Sequence, residues 1–264
     1  MRHPAARDII SAVFSAACFV IFLTTFFEPR WNSNDDIAMS MVAHGYGIAK
    51  QGCPELFFSN VIWGYLVRAI PSTEIMPGYS AATLAVLTSV AVILIWAMSR
   101  LGHGWLTGLG IMALVLTRPL LFPQFTINAG LLTVASLVCL QVYGQRRNWL
   151  ILCIACLLAY TGFLIRPREF LLILGIGLPF IPWRAILQTR LAGLTLLAMI
   201  ALMIGSAIID QKVYQTEQWR AFKALNAART PITDYGAVTR LKQQTELLVK
   251  HGYSTNHAYP VSTG

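Results

Sequence analysis

Seven long apolar stretches, separated by short polar segments, run through the first 209 residues of the chain. Most of them approach the roughly 20 residues that a helix needs to cross about 30 Å of hydrocarbon. The pattern therefore predicts an all-α fold, a polytopic transmembrane helical bundle of about seven spans. We expect these spans at residues 9–27, 79–98, 105–122, 125–143, 149–165, 170–183 and 191–209.

Two apolar stretches differ from the others. The sixth span is short and carries Pro179 and Pro182, so a kinked or partly re-entrant helix is an alternative there. The stretch 56–70 is apolar but only 15 residues long, and it contains Asn60 and Arg68. We therefore expect it to form an interfacial helix that lies on the bilayer surface.

The arginines of the short turns determine the predicted orientation. With seven spans and a cytoplasmic N-terminus, these arginines fall on the cytoplasmic side, as the positive-inside rule expects. Counting 56–70 as an eighth span would send most of these turns outside the cell. The arginines on the predicted cytoplasmic side are Arg2, Arg7, Arg100, Arg146, Arg147, Arg184 and Arg190.

The same parity predicts four extracytoplasmic regions, namely the turns at Arg118 and at 166–169 and two long regions. The first long region is the loop 28–78, which contains the interfacial helix, and the second is the polar tail 210–264. The predicted domains are therefore the bundle 1–209, with that loop, and the tail. Within the tail, the pattern predicts helices at 215–228 and 237–251 with a turn at TPITDYG between them. No small-x-small cleavage site follows the first span, so we expect that span to remain as an anchor.

Composition supports a multi-pass membrane protein and argues against a nucleic-acid partner. The chain is 56% hydrophobic and only 12% charged, with a formal net charge of +9. Its mean hydropathy is +0.61. The excess of Lys and Arg is typical of helix ends that meet anionic headgroups. The sequence contains no strip of alternating basic and aromatic residues that would indicate nucleic-acid binding.

Paired acids follow the first span, in the stretch WNSNDDIAMSMVAHG. Asp35 and Asp36 at a water–membrane boundary have the chemistry to bind a divalent metal such as Mg²⁺ or Mn²⁺, or to take a proton from an acceptor hydroxyl. The alternative is structural. Asn34 or Asp35 would then cap a helix that begins at Asp36, and the acids would complement its dipole.

Arginines are the second group of candidates. Arg166 and Arg168 flank a proline at the junction of two predicted spans, next to Glu169. Guanidinium groups suit a phosphate or pyrophosphate, because each offers a planar fork of donors and a permanent charge. The alternative is that they snorkel to ordinary headgroups and pair with Glu169. Arg118 would be a third cation on the same predicted extracytoplasmic face, where the positive-inside rule disfavours arginines.

The order of these features resembles the GT-C superfamily of polytopic membrane glycosyltransferases. The shared order is one span, a large external loop that opens with paired acids and continues through a surface helix, and then many short-looped spans. The segment NDDIAMSMVAHG resembles the first-loop acidic motif of that superfamily and of related uncharacterised bacterial membrane proteins. PQFTINAGLL, LIRPREFLLIL and NAARTPITDYG also resemble segments of those bacterial proteins.

The resemblance implies hexosyl or pentosyl transfer from a polyprenyl-phosphate carrier to an envelope glycan or lipid acceptor, on the outer face of a bacterial cytoplasmic membrane. Asp35 or Asp36 would act as base or metal ligand, with Asn34 and Glu169 in secondary roles. The carrier phosphate would be met by cations that are assigned by position, namely Arg118, Arg166 and Arg168.

One departure from the superfamily keeps a second function open. Its members usually carry more helices and often a soluble domain after them. The chain is therefore expected to be a shortened or partial member, or one that needs a protein partner for the missing part. The alternative function is a non-catalytic scaffold or a flippase-like component of an envelope-polysaccharide assembly.

Overall fold

A computed structural model describes residues 4–233, and this part of the chain is helical with no β-strand. The chain divides into two compact units, Met1–Asp210 and Gln211–Gly264. The helices in chain order are α1 (Pro4–Phe26), α2 (Asn34–His44), α3 (Val61–Ala69), α4 (Gly78–Arg100), α5 (Trp105–Leu121), α6 (Phe125–Arg146), α7 (Trp149–Ile165), α8 (Pro167–Gly177), α9 (Trp183–Leu187), α10 (Arg190–Val213) and α11 (Glu217–Thr233).

The all-α prediction is confirmed for the described residues, and the helices have membrane character. Four of them are long and apolar enough to cross a bilayer, and α5 and α7 are apolar but 17 residues long. The four candidate spans are Arg7–Phe26, Gly78–Arg100, Phe125–Arg146 and Arg190–Val213. The chain is therefore an integral membrane protein with at least this number of candidate spans.

Helix boundaries follow the local chemistry closely at α7. Asn148 precedes this helix, and its side chain accepts a hydrogen bond from the backbone N–H of Leu150 at 2.8 Å. The helix ends at Ile165, one residue before Arg166, which has extended backbone angles as expected for a residue that precedes proline. The bounds of α7 match the predicted span 149–165.

The predicted span 170–183 is not one continuous helix, which agrees with the alternative of a broken helix there. The helix α8 begins three residues earlier, because Pro167 suits the first turn of a helix, where its missing N–H costs nothing. It ends at Gly177, and a 3-10 turn (Leu178–Phe180) and the short helix α9 follow. Pro179 and Pro182 cannot donate the backbone hydrogen bonds that would continue α8. The break expected from these prolines is present.

Several further boundaries differ from the predicted ones, and α6 and α10 each extend three or four residues past their predicted ends. The interfacial stretch 56–70 is helical only in α3, because Asn60 caps the helix and fixes its start at Val61. The first helix extends back to Pro4. In the second unit, α11 runs through Pro231 to Thr233. The first four residues of TPITDYG are therefore helical, and the predicted turn does not include them. The predicted helix 237–251 lies outside the described residues.

At one end of the bundle, side-chain contacts connect several of the turns that contain arginines. Arg100, at the end of α4, pairs with Asp8 of α1 at 3.5 Å. Arg146 donates to the backbone carbonyl of Arg100 at 3.4 Å. Arg147 donates to the carbonyl of Ala185 in α9. We call this the arginine end.

At the opposite end of the bundle, backbone hydrogen bonds join loops and helix termini. The N–H of Asn32, before α2, donates to the carbonyl of Pro123, between α5 and α6, at 3.1 Å. The N–H of Asn60 donates to the carbonyl of Leu164, at the end of α7, at 2.8 Å. This end contains the paired acids, and we call it the Asp36 end.

Asn60 also connects α3 to α10 at this end. Its side chain, which is buried, accepts from the N–H of Ile62 and donates to the carbonyl of Ser206 at 3.0 Å. A carboxylate oxygen of Asp210 accepts from the N–H of Val61 at 2.7 Å. Two of the N–H groups that the start of α3 leaves unbonded are thereby satisfied, as helix N-termini require.

Candidate functional site

The paired acids lie in the first turn of α2, where their charges complement the helix dipole. The prediction that Asn34 or Asp35 caps this helix was wrong. The residue before the helix is Ser33, in extended conformation, and its side chain makes no capping hydrogen bond. Its hydroxyl instead donates to a carboxylate oxygen of Asp36.

Asp36 is buried and accepts three hydrogen bonds. Ser33 Oγ donates to Oδ2 at 2.8 Å. The Tyr79 hydroxyl, in the first turn of α4, donates to Oδ1 at 3.0 Å. The backbone N–H of Phe125, the first residue of α6, donates to the same oxygen at 3.1 Å. One carboxylate therefore joins α2, α4 and α6 at the Asp36 end.

Burial has a clear electrostatic effect on this carboxylate. Burial raises the pKa of Asp36 above its ordinary value, because the charged form loses contact with water. The negative charge of Asp35 also raises the Asp36 pKa, whereas the hydrogen bonds from Ser33, Tyr79 and Phe125 lower it. With three donors engaged, the Asp36 oxygens are used for internal contacts, and the side chain acts as a structural link.

Phe125 connects Asp36 to Arg166. Its ring stacks on that of Phe58 with centroids 5.9 Å apart and an angle of 15° between the planes. The guanidinium carbon of Arg166 lies 5.2 Å from the centre of each ring. Planar guanidinium groups are attracted to aromatic faces. A single phenylalanine thus contacts the first-loop acid through its backbone and the arginine of the α7–α8 junction through its ring.

Arg166 is also held by an ion pair. Its Nε lies 3.0 Å from a carboxylate oxygen of Glu169, one turn along α8, and both side chains are about three-quarters buried. A second guanidinium nitrogen lies 3.4 Å from the carbonyl oxygen of Phe58. The pairing of an arginine with Glu169, considered from the sequence as the structural alternative, is present for Arg166.

The other candidate residues are exposed. Asp35 lies on the outer side of the first turn of α2, next to Asn34. Arg168 is exposed in the first turn of α8, two residues after Arg166. Arg118 is exposed in the last turn of α5, shortly before Leu121, whose carbonyl accepts from the N–H of Arg30. The exposed candidates therefore all belong to the Asp36 end.

The donor set fits a metal ion poorly. Among the described residues, no three His, Cys, Asp or Glu side chains come together as a metal-binding group. Of the two adjacent aspartates, Asp36 already accepts three hydrogen bonds. A divalent cation would have Asp35 as its accessible carboxylate, whereas protein sites for hard cations usually combine several oxygen ligands.

Sequence patterns alone do not identify the residues that organise this end, namely Ser33, Tyr79 and Phe125. Tyr79 and Phe125 begin apolar helices, and such residues are normally interpreted as membrane-interface aromatics. One signal in the sequence is Asn128, a polar residue one turn into the apolar helix α6. A polar residue at such a position indicates that the start of the helix is packed inside the protein. Asn128 is buried, and its side-chain oxygen has no hydrogen-bond partner among the described residues. Such an atom in a helical bundle is unusual.

Comparison with protein-family models, with curated proteins and with solved structures finds no match for this chain.

Proposed function

We propose that the protein is a membrane glycosyltransferase of the GT-C type, which transfers a sugar from a polyprenyl-phosphate carrier to an envelope glycan or lipid acceptor on the extracytoplasmic face. The observation that carries this proposal is the link through Phe125. It brings the first-loop acids and the arginines of the α7–α8 junction to the same end of the bundle.

The proposed topology has seven crossings and an extracytoplasmic Asp36 end. It is supported by the opposite positions of the acids and of the arginine turns, which agree with the positive-inside rule. Crossing six combines α8 with the 3-10 turn that follows it. The 11 residues of α8 extend only about 16 Å. The contact between Arg147 and Ala185 of α9 connects the end of this crossing to the arginine end.

The exposed and the buried candidate residues have different proposed roles. Asp35 is the proposed base, because it is the exposed carboxylate of the pair. It takes the proton of the acceptor hydroxyl as that oxygen attacks the anomeric carbon. The bond between this carbon and the carrier phosphate breaks, and the phosphate leaves with the electron pair. Arg168 and Arg118 stabilise the charge on the leaving phosphate.

Asp36 and Arg166 are proposed as positioning residues. Asp36 fixes the first turn of α2, and with it Asp35, against the start of α6. Arg166 fixes the first turn of α8 through Glu169 and Phe58, and Arg168 belongs to the same turn. Pre-organised groups of this kind reduce the reorganisation that accompanies charge development in the transition state.

The cellular test compares envelope glycans and glycolipids in cells that make the chain with Asp35→Asn, with Asp35→Asn and Asp36→Asn together, or with Glu28→Gln. Glu28 is the matched control, because it is an exposed acid near the same end and pairs with the exposed Arg30. We expect both Asp35 variants to lose a glycan or glycolipid species that Glu28→Gln retains. An unchanged profile, with each variant made at the normal level, would exclude the proposed transfer.

The burial of Asp36 favours a second candidate function, that of a non-catalytic scaffold or flippase-like component of an envelope-polysaccharide assembly. In that case the acid would have only its structural role between α2, α4 and α6. This candidate predicts that Asp35→Asn retains function, whereas Asp36→Ala loses it together with the fold. The same glycan profiles therefore distinguish the two functions.

A further inference from the structure

A cavity of about 490 Å³ lies between the second half of the bundle and α10. Its walls come from α6, α7, α8, α9 and α10. The side chains of α10 that line it extend from Leu196 to Ala207, a distance of about 16 Å along the helix. The cavity therefore follows α10 over this length.

The cavity wall offers nothing to a polar occupant. Thr133 and Ser136 line it, but the hydroxyl of Thr133 donates to the carbonyl of Ala129 at 2.8 Å. The hydroxyl of Ser136 donates to the carbonyl of Ala155 at 2.7 Å. The indole N–H of Trp183 donates to the carbonyl of Leu178 at 3.0 Å, and the rest of the wall is aliphatic, aromatic or sulfur-containing. Water is stable in a cavity only with several polar partners, so an apolar occupant is expected.

The cavity opens sideways. On the α8 side, the lining residues Leu171 and Leu178 are exposed, and on the α10 side Ile200 and Ile204 are exposed. Of the residues in α10, only Ala192, Met203 and Ser206 are buried, so this helix is joined to the bundle at a few points. The opening between α8 and α10 thus faces the hydrocarbon that surrounds a membrane-spanning helix.

The length and the apolar wall of the cavity fit a hydrocarbon chain. The cavity, of about 490 Å³, follows about 16 Å of α10 and opens toward the surrounding hydrocarbon. We propose that this cavity holds one acyl chain of a bilayer phospholipid, which enters from the side between α8 and α10. None of the candidate acids and arginines lines the cavity, and the proposal does not depend on the proposed transfer reaction.

The first test measures phospholipid that remains bound to the full chain after purification in a mild detergent, by native mass spectrometry. Cys156→Phe places a ring in the cavity, and Cys153→Phe makes the same change on α7 at a residue outside the lining. We expect one phospholipid per chain in the unchanged protein and in Cys153→Phe. Retention should be about tenfold lower in Cys156→Phe. Equal retention in the two variants would overturn the proposal, and so would a polyprenyl phosphate as the bound lipid.

A second test needs no substitution and so does not depend on how a variant folds. The unchanged chain is reconstituted with a phospholipid that carries a photoreactive diazirine in its acyl chain, solubilised again, and then irradiated. Retained lipid should label α10 peptides that contain Met199 and Met203, together with α8 peptides that contain Phe170. Labelling spread equally over α1, whose outer side is also apolar and exposed, would contradict a defined site.

Discussion

The Oδ1 atom of Asp36 lies 3.1 Å from the backbone nitrogen of Phe125, which is 89 residues later in the chain. This bond joins the first-loop acid to the N-terminus of α6, where an unbonded N–H is available and a negative charge is favoured. Because the Phe125 ring also lies against Arg166, the same residue connects both groups of candidate side chains.

Asp36→Ala should destabilise the protein far more than Asp36→Asn. Alanine leaves the N–H of Phe125 and the hydroxyl of Tyr79 unpaired in a buried site, at a cost of about 1–3 kcal/mol each. Asparagine retains one oxygen for these two donors. Thermal unfolding in detergent measures the difference, with Glu28→Ala as the control, because the ion pair of Glu28 with Arg30 is exposed and about 0.5 kcal/mol or less is expected. If Asp36→Ala unfolded at the same temperature as Glu28→Ala, the link would have no structural importance.

The raised pKa of Asp36 predicts how its contribution to stability depends on pH. An acid whose pKa is raised by burial retains its proton to a higher pH in the folded chain than in the unfolded chain. Its contribution is therefore greatest below about pH 3.9, the usual value for Asp, and falls as pH rises through the raised pKa. Unfolding temperatures of the unchanged protein and of Asp36→Asn are compared between about pH 4 and 7. The unchanged protein should lose stability relative to the variant as pH rises. A constant or growing advantage would contradict this sign.

Asn60 and Asn148 offer a matched pair of helix caps. Both side chains accept a hydrogen bond from the N–H two residues later, but Asn60 is buried and also donates to the carbonyl of Ser206. Asn148→Ala should cost about 1 kcal/mol, as for an ordinary cap. Asn60→Ala should cost about 1–2 kcal/mol more, because it also leaves a buried carbonyl without its donor. Equal losses of unfolding temperature would show that the bond to Ser206 contributes nothing.

Local sequence patterns predict most of the helices but not the contacts between them. The bounds of α7 follow from Asn148 and Pro167, and the break after α8 follows from Pro179 and Pro182, because these effects act within one turn. Two of the three partners of Asp36, Tyr79 and Phe125, are 43 and 89 residues away, and no spacing in the sequence connects them. The exposure of Asp35 and the burial of Asp36 likewise depend on the packing of α2 against α4. For the site, the sequence therefore predicts the residue types, and only the packing separates their roles.

Arg166→Ala and Arg168→Ala should differ in their effect on the unfolding temperature. Arg166→Ala removes a partly buried ion pair and two ring contacts, so it should lower the unfolding temperature clearly. The exposed Arg168→Ala should leave that temperature nearly unchanged but weaken binding of a polyprenyl phosphate about tenfold, the loss expected for one charge-assisted contact. Isothermal titration of both variants with the same lipid checks this. Undiminished binding by Arg168→Ala would remove this arginine from the proposed phosphate site.

The central claim is that Asp35 activates an acceptor for sugar transfer at the Asp36 end. The most direct measurement uses the full chain in lipid nanodiscs, a polyprenyl-phosphate sugar labelled in the sugar, and an envelope extract as the source of acceptors. The unchanged protein should move the label to a lipid or glycan product. Asp35→Asn should slow this transfer by about 10²–10⁴-fold, the usual contribution of a general base, and Glu28→Gln should not. Label that stays on the carrier with the unchanged protein, or equal transfer rates with Asp35→Asn, would contradict the claim.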